Sequence, residues 1–251
     1  MYSIPGWQVD ADDPVVKMGG PWPIKPPDFE IEKYGTFTSI RYGEMSNQGY
    51  EAGEKNQSEI YRVDPSSRDV YVQSYSKMAE WVACKFFGLN PLGELGFDRG
   101  PDWGWDFIKE FSKRKVLIDV KSSVWERFFW PHTRNDRLWL PTGPHVLIGA
   151  RLVGIETHPD KRVVSDLYKA KIRLFGWCSR RRFCREHRIA GCDDPSRLQP
   201  GTRYLPVEYL PPLSDLESLE RMARREGRYY EFVNGNDPTS WMLPDALCPR
   251  R

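Results

Sequence analysis

The stretch Lys115-Val116-Leu117-Ile118-Asp119-Val120-Lys121, preceded by Trp105-Asp106-Phe107-Ile108 and a polar turn at Lys113-Arg114, decides the fold. Both pieces are short runs of β-branched and aromatic residues bounded by turn residues, which predicts two strands in a hairpin. Side chains alternate along a strand, so Leu117, Asp119 and Lys121 face one way and Val116, Ile118 and Val120 the other. An acid and an amine inside an apolar strand are costly to bury unless something pairs with them. Two residues apart, they are separated by ~7 Å along the strand, enough for a water or a phosphate oxygen between them. In an antiparallel hairpin Asp106 lies beside Asp119. Neighbouring carboxylates raise each other's pKa unless a divalent cation neutralises them, and magnesium suits one or two carboxylates together with waters and phosphate oxygens.

Upstream, Ser66 with Asp69 three residues on forms a capping-box-like start after Pro65. Tyr71, Tyr75, Met78, Val82 and Phe86 recur at helical spacing and Gly88 supplies a stop, so a helix is expected to precede the hairpin. Glu80 stands at the edge of its apolar face. Downstream, His145–Val153 and Ala170–Trp177 read as further strands, separated from the hairpin by an aromatic-rich insertion between Val124 and Pro144. Ser214 opens a second helix with Leu216, Leu219, Met222 and Ala223 on one face. Residues 1–65, rich in Pro, Gly, Trp and Tyr, read as an irregular arm with only short strand-like pieces such as Thr36-Phe37-Thr38-Ser39-Ile40. Three units result: an arm over 1–65, an α/β core over 66–212 and a helical extension over 213–251.

Composition narrows the class. Of 251 residues 39% are apolar and 14% aromatic, enough for a core, and the mean hydropathy of −0.63 with no long apolar run argues against a membrane span. No secretory signal opens the chain and five cysteines make no disulfide framework, so a cytoplasmic protein is expected. The net charge is +2, but residues 1–60 hold five basic against ten acidic residues and the remainder 32 against 25. A basic body suggests a polyanionic partner.

With Glu80 on the helix, Gly100-Pro101-Asp102-Trp103-Gly104-Trp105-Asp106 entering one strand and Ile118-Asp119-Val120-Lys121-Ser122-Ser123 forming the next, the chain resembles the PD-(D/E)XK nuclease superfamily. The match covers roughly residues 66–123. The resemblance implies a restriction-endonuclease-like α/β fold, a mixed β-sheet flanked by helices, of the type found in phage and mobile-element nucleases. It implies Mg²⁺ or Mn²⁺ held by Asp106, Asp119 and the Val120 carbonyl, with Glu80 as an outer ligand and Lys121 orienting the attacking water. Asp102 competes for the role given to Asp106. The implied reaction is phosphodiester hydrolysis, with DNA as the expected nucleic acid and an intracellular setting such as a virus-infected host. A homodimer or higher homo-oligomer through the aromatic arm fits that reading. The alternative is an inactive nucleic-acid-binding or assembly protein on the same fold.

Two further features share one segment. Cys178, Cys184, His187 and Cys192 offer a tetrahedral zinc set in principle, although no Cys-x2-Cys knuckle exists; the plainer reading is scattered buried thiols. An iron–sulfur cluster, which would also need Cys84 or Cys248, has no matching spacing. Arg180, Arg181, Arg182, Arg185 and Arg188, interrupted by Phe183, suit phosphate contacts and base stacking; a solvated helix face is the competing reading. His132, His145 and His158 form no spaced pair and read as local hydrogen-bonding residues.

Overall fold

A computed structural model of the chain describes residues 28–51, 69–95, 105–111, 114–123, 128–129, 144–189, 203–211 and 213. It is a mixed α/β structure. The elements in chain order are β1 (Asp28–Glu30), α1 (Lys33–Glu51), α2 (Val70–Phe86), the single turn α3 (Pro91–Glu94), β2 (Phe107–Phe111) and β3 (Arg114–Ser123). They are followed by β4 (Phe128–Phe129), β5 (Val146–Val153), β6 (Lys171–Ser179), α4 (Arg180–Glu186), β7 (Arg188–Ile189) and β8 (Arg203–Pro206). A five-stranded sheet runs β1-β6-β5-β3-β2, with β3 and β5 parallel and the other neighbours antiparallel; β4, β8 and β7 form a small second set.

The helix expected before the hairpin is α2, and its ends follow from local chemistry. Asp69, not Ser66, is the N-cap: its carboxylate accepts from the Tyr71 amide at 2.8 Å, which satisfies one of the orphan donors of the first turn. Ser66 itself lies outside the described residues. Gly88 closes the helix at φ 70°, donating to the Lys85 carbonyl while Leu89 donates to Cys84, the paired bonds of a Schellman ending. Lys109 of β2 reaches the Phe87 carbonyl at 2.8 Å and so ties the hairpin to this helix end.

Tyr71, Tyr75, Met78 and Val82 are buried, as their spacing implies. They lie over one face of the sheet with Val116, Ile118 and Val120 of β3, Ile148 of β5 and Trp177 of β6. The other face of the sheet carries a smaller core in which Leu147 and Phe175 meet Phe183 of α4, Leu205 of β8 and Leu210. Gly176 is required there by close approach: a Cβ would stand 2.2 Å from the Pro211 carbonyl oxygen.

The expectation of an irregular arm is overturned over residues 28–51. Thr36–Ile40 is helical, inside α1, and β1 completes the sheet along β6, where Arg173 forks onto Asp28 at 2.6 and 2.9 Å. The helix is held by packing rather than propensity. Gly35 and Gly43 lie against α2, where added Cβ atoms would meet Trp81 at 2.7 Å and the Ser74 hydroxyl at 2.4 Å. Ser39, between them in the stripe, is fully buried and bonds back to the Gly35 carbonyl. Small residues at i, i+4 and i+8 let the two helix backbones approach closely. Residues 1–27 and 52–68, most of the 124–143 insertion, the helix expected at Ser214 and the rest of the 213–251 extension beyond Leu213 lie outside the described residues. Among the described residues no helix is long and apolar enough to cross a membrane.

Candidate metal and phosphate site at the fork of β2 and β3

The hairpin forms where the sequence implies. Phe107 pairs with Ile118 and Phe111 with Arg114. Asp106 lies just before β2 and past the last pair, bonded to Ile118 rather than paired with Asp119. At this point the sheet forks. The β2–β3 ladder ends at Phe107–Ile118, whereas the β3–β5 ladder begins at Ile118–Val146 and continues to Ser123–Arg151. Beyond Ile118, therefore, β3 has β5 on one edge only, and residues 105–106 enter along the other. The Asp106 amide donates to the Ile118 carbonyl at 2.8 Å, and the Asp106 carboxylate accepts from the Val120 amide at 2.6 Å. A side-chain oxygen thus replaces the backbone acceptor that β2 no longer supplies, which an inward-facing strand amide demands. In a strand a residue's N–H and C=O point to the same edge, so the Val120 carbonyl faces the fork as well.

Asp119 is buried, with its side chain 5% exposed, and Lys121 pairs with it at 2.7 Å while remaining 32% exposed. The buried acid is neutralised locally and the ammonium still reaches solvent. The two residues occupy the face of β3 turned away from α2, because Val116, Ile118 and Val120 take the helix side. The donor set at the fork is two carboxylates and a backbone carbonyl, all hard oxygen atoms. That chemistry fits a magnesium or manganese ion, which needs few protein ligands and keeps several waters.

Glu80 is placed differently. It is buried on α2 and forms an ion pair with Lys77, which also stands 4.5 Å from the centre of the Tyr42 ring on α1. Among the described residues no three acidic, histidine or cysteine side chains gather as a metal group, so Glu80 is not drawn together with Asp106 and Asp119. The competing candidate Asp102 lies outside the described residues. No motif in the sequence marks Lys77, or the 2.9 Å hydroxyl contact between Ser76 of α2 and Ser122 of β3 that fastens the helix to the strand beside Lys121. The one available signal was spacing: Lys77 stands three residues before Glu80, on neighbouring positions of a helix surface.

The arginine cluster does not form one open face. Arg180 is 1% exposed and Arg182 is buried with its Nε on Glu186 at 2.8 Å; Arg188 alone of the described members is exposed, 5.9 Å from the Tyr209 ring centre. The side chains of Arg181 and Arg185 lie outside the described residues. Burial arises because α4 is the lid of the second core, carrying Phe183 inward and its flanking arginines with it. Of the four candidate zinc residues, Cys178 is buried and directs its thiol to the Ser179 carbonyl, and His187 stacks on Phe183 with Nδ1 3.0 Å from that residue's carbonyl; the Cys184 side chain and Cys192 lie outside the described residues. Cys84 is buried in the main core, and burial pushes its thiol up to about 12. His145 has the local bonding role expected of it: Nδ1 accepts from the Leu117 amide at 3.1 Å, and burial, with the Arg180 guanidinium nearby, pushes its pKa down to about 4.

No family model, curated protein or solved structure matches the chain.

Proposed function

We propose that this chain is a divalent-metal-dependent nuclease that hydrolyses phosphodiester bonds of DNA, on a restriction-endonuclease-like version of its α/β fold. The observation that carries the reading is the Asp119–Lys121 pair at the fork, beside which Asp106 enters with its amide on the Ile118 carbonyl and its carboxylate on the Val120 amide. A buried acid, a second acid one strand away and a half-exposed amine are costly to assemble and are what this hydrolysis needs.

Asp106, Asp119 and the Val120 carbonyl would hold Mg²⁺ or Mn²⁺. The bound ion supplies Lewis-acid polarisation of a phosphate oxygen and a water of lowered pKa. Lys121 offsets negative charge on the phosphate and orients the attacking water through its ammonium donors. Asp119, in this reading, shares its charge between Lys121 and the ion. Asp106 keeps one oxygen on the Val120 amide, which fixes the carboxylate at the fork. Glu80 stays paired with Lys77 on α2, apart from this set.

A second reading, an inactive nucleic-acid-binding or assembly protein, is favoured by the engagement of Asp106 with the Val120 amide and of Glu80 with Lys77. Supercoiled plasmid incubated with the full chain and Mg²⁺ or Mn²⁺ separates the two. Nuclease action predicts metal-dependent nicking that Asp119→Ala and Lys121→Ala each reduce at least ~100-fold. DNA retention with no cleavage by the wild-type chain supports the second reading.

A further inference from the structure

The parallel pairing of β3 with β5 brings a third charged residue to the face that carries Asp119 and Lys121. Lys121 is in register with Gly149 and Ser123 with Arg151. Ala150 and Leu152 belong to the core under α2, so Gly149 and Arg151 project to the opposite face, the one shared with Asp119 and Lys121. Gly149 contributes no side chain there, and its partner across the next strand pair, Gly176, contributes none either. Of the side chains on the two strands that join them, that of Ser123, in register with Arg151, is the one placed between Lys121 and Arg151 on this face. Neighbouring strands lie ~4.8 Å apart with a rise of ~3.3 Å per residue, so the two Cα atoms are ~8 Å apart on the diagonal.

On the nuclease reading, which this inference rests on, we propose that Arg151 grips the backbone phosphate next to the one Lys121 faces, so that the two cations track the strand being cut. An offset of ~7 Å along β5 suits consecutive phosphates rather than one phosphate held twice. Arg151 is half-buried as a residue, with its Nε buried, and a planar guanidinium can present two parallel donors to a phosphate where an ammonium presents a point charge. Arg151 is thus a substrate-binding residue on an element that the motif-bearing segment does not include.

The test measures binding and cleavage separately. Binding of a short fluorescein-labelled DNA duplex of mixed sequence is followed with Ca²⁺ in place of Mg²⁺, over a range of salt concentrations. Each phosphate contact contributes ~0.9 to the slope of log K against log salt for duplex DNA and ~0.7 for a single strand. Arg151→Gln is expected to lower that slope by ~0.7–0.9 and to raise KM in the Mg²⁺ cleavage assay more than it lowers kcat; Arg151→Lys is expected to keep the slope while weakening binding. An unchanged slope and KM in Arg151→Gln overturns the inference. Should Arg151→Gln fail to fold, Arg151→Lys decides, and binding equal to wild type overturns it. Asp119→Asn, run alongside, keeps the failures apart: if it cleaves as the wild type does, the nuclease reading itself falls, whereas loss of cleavage there with no effect at Arg151 removes this inference alone.

Discussion

Replacing Gly43 by alanine tests the part of the fold that local pattern does not announce, the seat of α1 on α2. The new Cβ would stand 2.4 Å from the Ser74 hydroxyl, 2.8 Å from the Val70 carbonyl oxygen and 3.1 Å from the Ser74 amide. The hydroxyl has little freedom to turn away, since it donates to that same carbonyl at 2.6 Å, and the other two neighbours are backbone. The helices must separate by a few tenths of an ångström to an ångström, and overpacking of that kind costs ~1–3 kcal/mol. Alanine gains ~1 kcal/mol over glycine in a helix, so the net effect is a loss of ~1 kcal/mol, or a Tm lower by about 2–4 °C in a chain of this size. Gly93→Ala is the control, because its nearest neighbour would be the Asn90 amide at 3.9 Å and no contact needs to yield. Differential scanning calorimetry of both variants checks the sign. A Tm raised by Gly43→Ala, as in a helix whose glycine faces solvent, would refute the close seat. Combining it with Ser74→Ala removes the nearest contact and should recover at least ~0.5 kcal/mol as coupling between the two positions.

Two further outcomes follow from buried charge. Lys77→Met or Glu80→Gln alone leaves its former partner buried without its counter-ion and is expected to cost ~3–5 kcal/mol in urea unfolding, while Lys77→Met with Glu80→Leu recovers most of that; single variants as stable as wild type would contradict the buried pair. His145, held near 4 when folded against ~6.5 when unfolded, binds its proton more readily in the unfolded chain. Its contribution is full above pH ~6.5 and is lost as pH falls toward ~4, about 3 kcal/mol in all. His145→Asn, which keeps an acceptor for the Leu117 amide, should flatten the unfolding profile over that window, and profiles that run parallel would exclude the assignment.

What sequence could convey divides along physical lines. The helix α2 and the strands β3, β5 and β6 announce themselves because each buries its own periodic face, and Asp119 with Lys121 stands out because charge inside an apolar strand needs a reason. Helix α1 does not announce itself: Gly35, Thr36, Thr38, Ile40 and Gly43 are poor helix formers, and the merit of the two glycines is their close approach to Trp81 and Ser74, which lie in another element. The three residues of β1 are too few for a pattern, and their pairing depends on Arg173 and Lys171 meeting Asp28 and Glu30. The arginines of α4 read as a charged face because sequence does not tell which side of a seven-residue helix a distant core will cover. At the site, Asp106 and Asp119 follow from a local hairpin, but the neighbourhood of Arg151 depends on the parallel register of β3 and β5, and that of Glu80 on Lys77, neither of which a linear motif encodes.

The central claim is that Asp106 and Asp119 together hold a divalent ion at the fork, and the anomalous difference map of a crystal soaked in Mn²⁺ addresses it directly. One strong peak is expected about 2.1 Å from a carboxylate oxygen of each residue, with the Val120 carbonyl as a third ligand, and its loss is expected in Asp119→Asn crystals. A saturating soak that leaves both carboxylates without a peak would contradict the claim.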